Sequence, residues 1–119
     1  MSKKVLVVGA SKNPSRYSYK SIIKLKENNH EVFAFSNSLG KVAGIEISTE
    51  FPNIQIDTLT LYLSSKIQKQ YCNNIINLNP KRIIFNPGAE NEELSNIARK
   101  KGIQVLNACT LVMLSIGVF

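Results

Sequence analysis

The sequence predicts an α/β protein, a doubly wound five-stranded parallel sheet with helices on both faces. Three observations predict it. Short aliphatic runs without alternation mark strands buried on both faces. Helix-periodic segments separate these runs, and parallel strands need such crossovers. The first run, Val5-Leu6-Val7-Val8, breaks at Gly9 into small polar residues and then enters a helical segment, as a strand–turn–helix unit does.

The stretch Lys3 to Arg16 organises the rest. Gly9 stands where the backbone must turn sharply, and Ser11 and Asn13 follow as residues able to satisfy the free N–H groups of the coming helix. Those N–H groups and the positive dipole end make an anion site, to which Arg16 adds a bidentate donor. The same residues also suit an ordinary βα turn with a serine cap and a surface arginine.

In the next segment Tyr19, Ile22, Ile23 and Leu25 lie near helical spacing, with Lys20, Lys24 and Glu27 on the wet side. Asn28-Asn29-His30 ends this helix, because Asn tolerates the left-handed conformation. His30, the single histidine, falls at the far end of the element from the phosphate loop and is read as structural. Glu31 to Phe35 is the second strand, with Ser36-Asn37-Ser38 at its carboxyl end. In a dinucleotide fold that end carries an acid for the ribose hydroxyls. None occurs between Val32 and Gly40, and Gly9, Ser11 and Pro14 occupy the glycine positions of G-x-G-x-x-G.

Lys41 to Ile47 reads as an irregular excursion with a short edge strand. Ile56 to Leu63 is the third strand, and Ser64-Ser65 is a capping signal. Ile67, Tyr71 and Ile75, spaced by four, predict one helix running to about Leu78, with Cys72 on its apolar stripe. Asn79-Pro80 stops it. Arg82 to Phe85 is the fourth strand and ends in a tight loop, Asn86 to Ala89. Asn91 caps the next helix, Glu92 and Glu93 load its first turn, and Leu94, Ile97 and Ala98 face inward. Gly102 ends it, and Gln104 to Ala108 is the fifth strand. Leu111 to Phe119 is an apolar tail that packs on its own sheet or serves as a contact between copies.

Composition narrows the function. A chain of 119 residues fits one domain, residues 1–119. No apolar run approaches the roughly 20 residues of a membrane span, and no signal peptide is read at the start, so a cytoplasmic location is expected. Cys72 and Cys109 lack metal-ligand or redox-pair spacing, and no metal site is predicted. The formal charge of +7 favours anionic partners. The bases are dispersed and no nucleic-acid motif accompanies them, so a small-molecule nucleotide is the expected ligand and a nucleic acid is not.

The loop Val7 to Ser18, the His30-Glu31-Val32 turn, Lys41 to Gly44 and Gly88 to Leu94 together resemble the stand-alone CoA-binding domain family. That family is Rossmann-like and similar to the CoA-binding domain of the succinyl-CoA synthetase α subunit. The resemblance implies that the ligand is coenzyme A or an acyl-CoA. It implies that Gly9, Ala10, Ser11, Asn13 and Arg16 hold the phosphates and that Phe35, Ser36, Asn37 and Lys41 take the adenosine end. Tyr62, Leu63, Pro87 and Gly88 would line the path of the pantetheine arm. No catalytic residue is predicted, since Glu90 and Glu92 have a sufficient role at a helix start and Ser11 has no base. Cys109 reads as a small core residue or as a thiol able to meet the CoA thiol. An NAD(P)-binding redox-type protein is the alternative that the fold permits, and a nucleic-acid-associated protein is motivated by charge alone.

Overall fold

The computed structural model describes residues 2–119. Among them seven strands form one sheet in the order β3-β4-β2-β1-β5-β6-β7. The strands are β1 (Lys4–Val8), β2 (Glu31–Phe35), β3 (Gly40–Val42), β4 (Ile45–Ser48), β5 (Thr58–Leu61), β6 (Arg82–Phe85) and β7 (Gln104–Asn107). The five strands expected from the aliphatic runs are β1, β2, β5, β6 and β7, and all are parallel.

The count of five is corrected by the excursion after β2. There β4 adds in parallel to β2, and β3 turns back antiparallel to β4 to form the edge. Ala43 and Gly44 make the reversal with φ of 50° and 82°. A two-residue turn with both φ positive matches the twist of the strands it joins.

Side chains alternate across the sheet with the strand period of two. Leu6, Val8, Leu59, Leu61, Ile83 and Phe85 point to one face, and Val5, Val7, Val32 and Ala34 to the other. Helix α1 (Tyr17–Glu27) covers the second face with Ile22 and Leu25, and α5 (Thr110–Ser115) packs beside it. The first face is covered by α3 (Cys72–Asn77) through Ile75 and Ile76 and by α4 (Glu92–Lys100) through Leu94 and Ala98. Ile97, expected to face inward, is exposed. Leu94 and Ala98 sit one turn apart and fill the contact, whereas Ile97 falls beside that row.

The helix expected from Ser65 to Leu78 is broken. A first turn, α2 (Ser65–Gln68), tightens into a 3-10 turn over Lys69–Tyr71 before α3 resumes the wider helix. The cause is Gln68, which is fully buried. Its amide N–H₂ donates to the Leu63 and Ala89 carbonyls at 2.7 Å each, and its Oε1 accepts from Asn91 Nδ2 at 2.8 Å. The capping signals behave as their chemistry dictates. Ser64 Oγ accepts from Ile67 N–H and Asn91 Oδ1 from Leu94 N–H, while Asn29 ends α1 at φ 65°.

The tail crosses to the amino end of the sheet. The Phe119 ring lies 5.1 Å from the His30 ring and 4.6 Å from the Arg82 guanidinium. His30 Nδ1 accepts the Lys3 backbone N–H at 3.1 Å, and burial followed by the Lys3 charge holds the imidazole pKa below its ordinary value. His30 is therefore structural, at the opposite end from the strand carboxyl termini.

Candidate functional site

The register brings Val8, Phe35, Leu61, Phe85 and Asn107 to one level, so five parallel strands end together. In doubly wound sheets the ligand crevice lies outside these ends, where successive crossovers leave in opposite directions. Here β1 connects to β2 on one side, and the chain later returns to β5 on the other. A cleft of 790 Å³ opens at that point. Its walls are the loop after β1, the Ser36–Asn37–Ser38 segment after β2, Tyr62 to Ser64 after β5, and Pro87 after β6.

The loop after β1 is rigidly built. Gly9 has φ 92°, and its N–H and that of Ala10 both donate to the Phe35 carbonyl at 3.0 Å. Ser11 Oγ accepts from Asn13 N–H, and Asn13 Oδ1 accepts from both Ser15 N–H and Ser15 Oγ–H. Ser11 and Asn13 thus brace the loop itself, which corrects the expectation that they cap the helix. The residue before α1 is Arg16, and it makes no side-chain cap. The first turn of α1 holds no acid, whereas α4 carries Glu92 and Glu93 in its first turn. The positive end of the α1 dipole is left uncompensated at the cleft. Among the described residues, the Ser11 and Lys12 amides make no hydrogen bond within the protein.

Of the predicted site residues, the cleft is lined by Gly9, Ala10, Ser11, Asn13, Arg16, Ser36, Asn37, Tyr62, Leu63 and Pro87. Three lie elsewhere. The Phe35 side chain is buried on the far face, 4.3 Å from the Phe51 ring and 5.1 Å from that of Tyr71, and its carbonyl alone serves the loop. Lys41 stands on the edge strand and pairs with Glu46 at 3.5 Å. Gly88 turns away at φ 93°, its N–H donating to Glu90 Oε1 at 2.8 Å. Gly9 and Ala10 contribute shape rather than donors, since their N–H groups are already used.

Lys12, Tyr17, Ser18, Ser38, Ser64, Ile47 and Ile67 also line the cleft. Ile67 could not be told from a core residue by its spacing, and Ile47 lies on β4, within the excursion read as holding a short edge strand. Lys12, Tyr17 and Ser18 fall within the loop that carries the resemblance, and Tyr17 stands two-thirds exposed next to Arg16.

Beneath the β5–β6 wall runs a buried polar network. Asn86 Nδ2 donates to Thr60 Oγ1 at 2.8 Å and to the Leu61 carbonyl at 3.0 Å, and Asn86 Oδ1 accepts from Thr110 N–H at 2.9 Å. The Thr60 and Thr110 hydroxyls are bonded to each other at 2.8 Å. The Tyr62 hydroxyl bonds with Ser21 Oγ of α1. Burial raises the Tyr62 phenol pKa, against the opposing effect of that bond, so the ring stands as a fixed neutral wall. Cys109, directly before α5, lies outside the lining, as do Glu90 and Glu92. Among the described residues, the lining carries two cations, Lys12 and Arg16, and no carboxylate or imidazole.

Comparison with known proteins gives a consistent result. A family model described as CoA binding domain matches residues 3–115. A crystal structure of an uncharacterized protein is 44% identical, covers all of this chain and 99% of its own, and superimposes with a TM-score of 0.96. A hypothetical protein from Pyrococcus horikoshii OT3 is 24% identical over 97% of this chain and 83% of its own, with a TM-score of 0.87. A dinucleotide-forming acetyl-coenzyme A synthetase from Ca. Korarchaeum cryptofilum, 18% identical, shares the fold with a TM-score of 0.76 over 89% of this chain and 26% of its own length. No curated protein matches.

Proposed function

This chain belongs to the CoA binding domain family, and from that premise we propose that it binds coenzyme A or an acyl-CoA in the cleft without transforming it. The observation that carries the reading is the pairing of a braced phosphate loop with an acid-free end of β2. The diphosphate sits against Arg16, the free amides of Ser11 and Lys12 and the uncapped start of α1. The adenosine end lies by Ser36, Asn37 and Ser38, where a dinucleotide fold would hold the ribose hydroxyls with a carboxylate. The pantetheine arm follows Tyr62, Leu63 and Pro87. The whole chain acts as one binding domain. A lining of two cations, hydroxyls, amides and apolar groups suits holding an anion and lacks a base to act on it.

Isothermal titration with CoA and NAD tests this reading. CoA is expected to bind and NAD to bind far more weakly. Arg16→Ala should weaken CoA binding by about 1.5–3 kcal/mol, the worth of a charge-assisted phosphate contact, and leave the melting curve unchanged. Unaltered CoA affinity in Arg16→Ala removes the phosphate assignment, and tight NAD binding without CoA binding makes this a dinucleotide domain instead.

A further inference from the structure

Gly40, the first residue of β3, does not adopt the left-handed backbone that would by itself require glycine. What a side chain would meet here is the stem of Lys12. A Cβ at this position would fall on Lys12 Cδ and stand 2.7 Å from Cγ and 3.1 Å from Cε. The aliphatic stem of Lys12 is therefore laid across Gly40, from the loop after β1 to the segment after β2. Lys12 lines the same cleft as Ser36, Asn37 and Ser38. Among the described residues the ion pairs are Lys24–Glu27 and Lys41–Glu46, so the Lys12 ammonium has no carboxylate partner. Lys41, one residue beyond Gly40, stands 3.5 Å from Glu46 on the neighbouring strand.

In doubly wound folds the group at the end of the second strand decides what the ribose may carry. An acid there takes a bare hydroxyl pair, and a cation nearby accommodates a ribose phosphate. This end holds no acid and, in Lys12, a cation without a carboxylate partner whose stem lies against Gly40. We propose that Lys12, positioned by Gly40, reads the phosphate monoester on the ribose of the bound nucleotide, which for coenzyme A is the 3′-phosphate. The inference rests on the CoA reading of the cleft. A lysine suits the task as a compact point charge against a dianion, whereas Arg16 is the fork for the diphosphate.

Titration of the parent protein, Lys12→Met, Gly40→Ala and Lys41→Met with CoA and with dephospho-CoA tests it. The parent should prefer CoA by about tenfold or more, the value of one charge-assisted bond. Lys12→Met should reduce CoA affinity to that for dephospho-CoA and leave the latter unchanged. Gly40→Ala should narrow the preference by unseating the stem, and Lys41→Met should preserve it. The inference is overturned if Lys12→Met keeps the preference, or if it weakens both ligands equally, which places the lysine on the diphosphate. A parent that binds both ligands alike overturns it while the CoA reading stands. A parent that binds neither removes the CoA reading and the inference together. NADP and NAD, titrated in parallel, separate a 2′-phosphate from a 3′-phosphate: a Lys12-dependent preference for NADP without CoA binding would assign the lysine to the wrong nucleotide and overturn the 3′ assignment.

Discussion

Asn86→Ala should be among the most damaging single substitutions in this protein, although Asn86 touches no ligand in the proposed site. The side chain is 2% exposed and makes three hydrogen bonds, as donor to Thr60 Oγ1 and the Leu61 carbonyl and as acceptor from Thr110 N–H. At roughly 1 kcal/mol net for each bond, their loss costs about 3 kcal/mol. The Thr110 N–H is left buried with no acceptor, which adds about 1–2 kcal/mol. A total near 4–5 kcal/mol is a large part of the 5–15 kcal/mol that holds a typical domain folded. At about 3–5 °C per kcal/mol for a chain of this size, the melting temperature should fall by roughly 12–25 °C. Urea denaturation followed by circular dichroism reads the same quantity, with the slope expected to match that of the parent. A Thr60→Val background should shrink the cost of Asn86→Ala, because the two side chains share a bond. A loss under about 1 kcal/mol with no coupling to Thr60 would show that water replaces the network without penalty, and the reasoning would fail.

Gly9→Ala places a side chain at φ 92° with its Cβ 3.0 Å from Leu63 Cδ2. It should cost about 1–2 kcal/mol in stability, read by thermal melting, and weaken CoA by displacing Leu63 from the cleft wall. Gln68→Ala strips the Leu63 and Ala89 carbonyls of their donor and should cost about 2–4 kcal/mol, measured by denaturant unfolding. His30 supplies a pH dependence. Its pKa is lowered in the folded chain, chiefly by burial, and Nδ1 must stay unprotonated to accept from Lys3 N–H. The stabilisation is therefore complete above the unfolded value of about 6.5 and fades as pH falls below it. Melting temperatures between pH 7.5 and pH 5 should drop more for the parent than for His30→Gln, and equal slopes would refute this role.

The parallel sheet was legible because its strands are dense aliphatic runs, and a run buried on both faces needs little context to be read. The loop after β1 was legible for a related reason, since Gly9 interrupts Val5 to Val8 abruptly and the chemistry that follows is local. The excursion from Lys41 to Ile47 was legible as holding one short edge strand but not two: β4 meets β2 at only two register positions, Ala34↔Ile47 and Phe35↔Ser48, and the antiparallel return of β3 leaves no long aliphatic run to mark either strand. The break in the helix after Ser64 was hidden because Ile67, Tyr71 and Ile75 keep a spacing of four, while the residue that matters is a buried glutamine between them. The resemblance puts Phe35 at the adenosine end, yet strand alternation sends its ring to the opposite face and leaves only the carbonyl at the site. Lys41 and Lys12 could not be ranked as ribose contacts without the pairing of β3 with β4, which turns Lys41 toward Glu46 and leaves Gly40 beneath Lys12.

The level ends of the strands have a thermodynamic consequence. A ligand in the cleft touches segments that follow β1, β2, β5 and β6, so it cannot remain bound once any of these strands parts from its neighbour. Its binding free energy is then linked to the folding equilibrium of the sheet as a unit. At a free concentration 100 times its Kd, such a ligand adds about 2.7 kcal/mol to unfolding by mass action. Occupancy of this one cleft is felt as resistance to unfolding along the length of the chain, including segments that never meet the ligand.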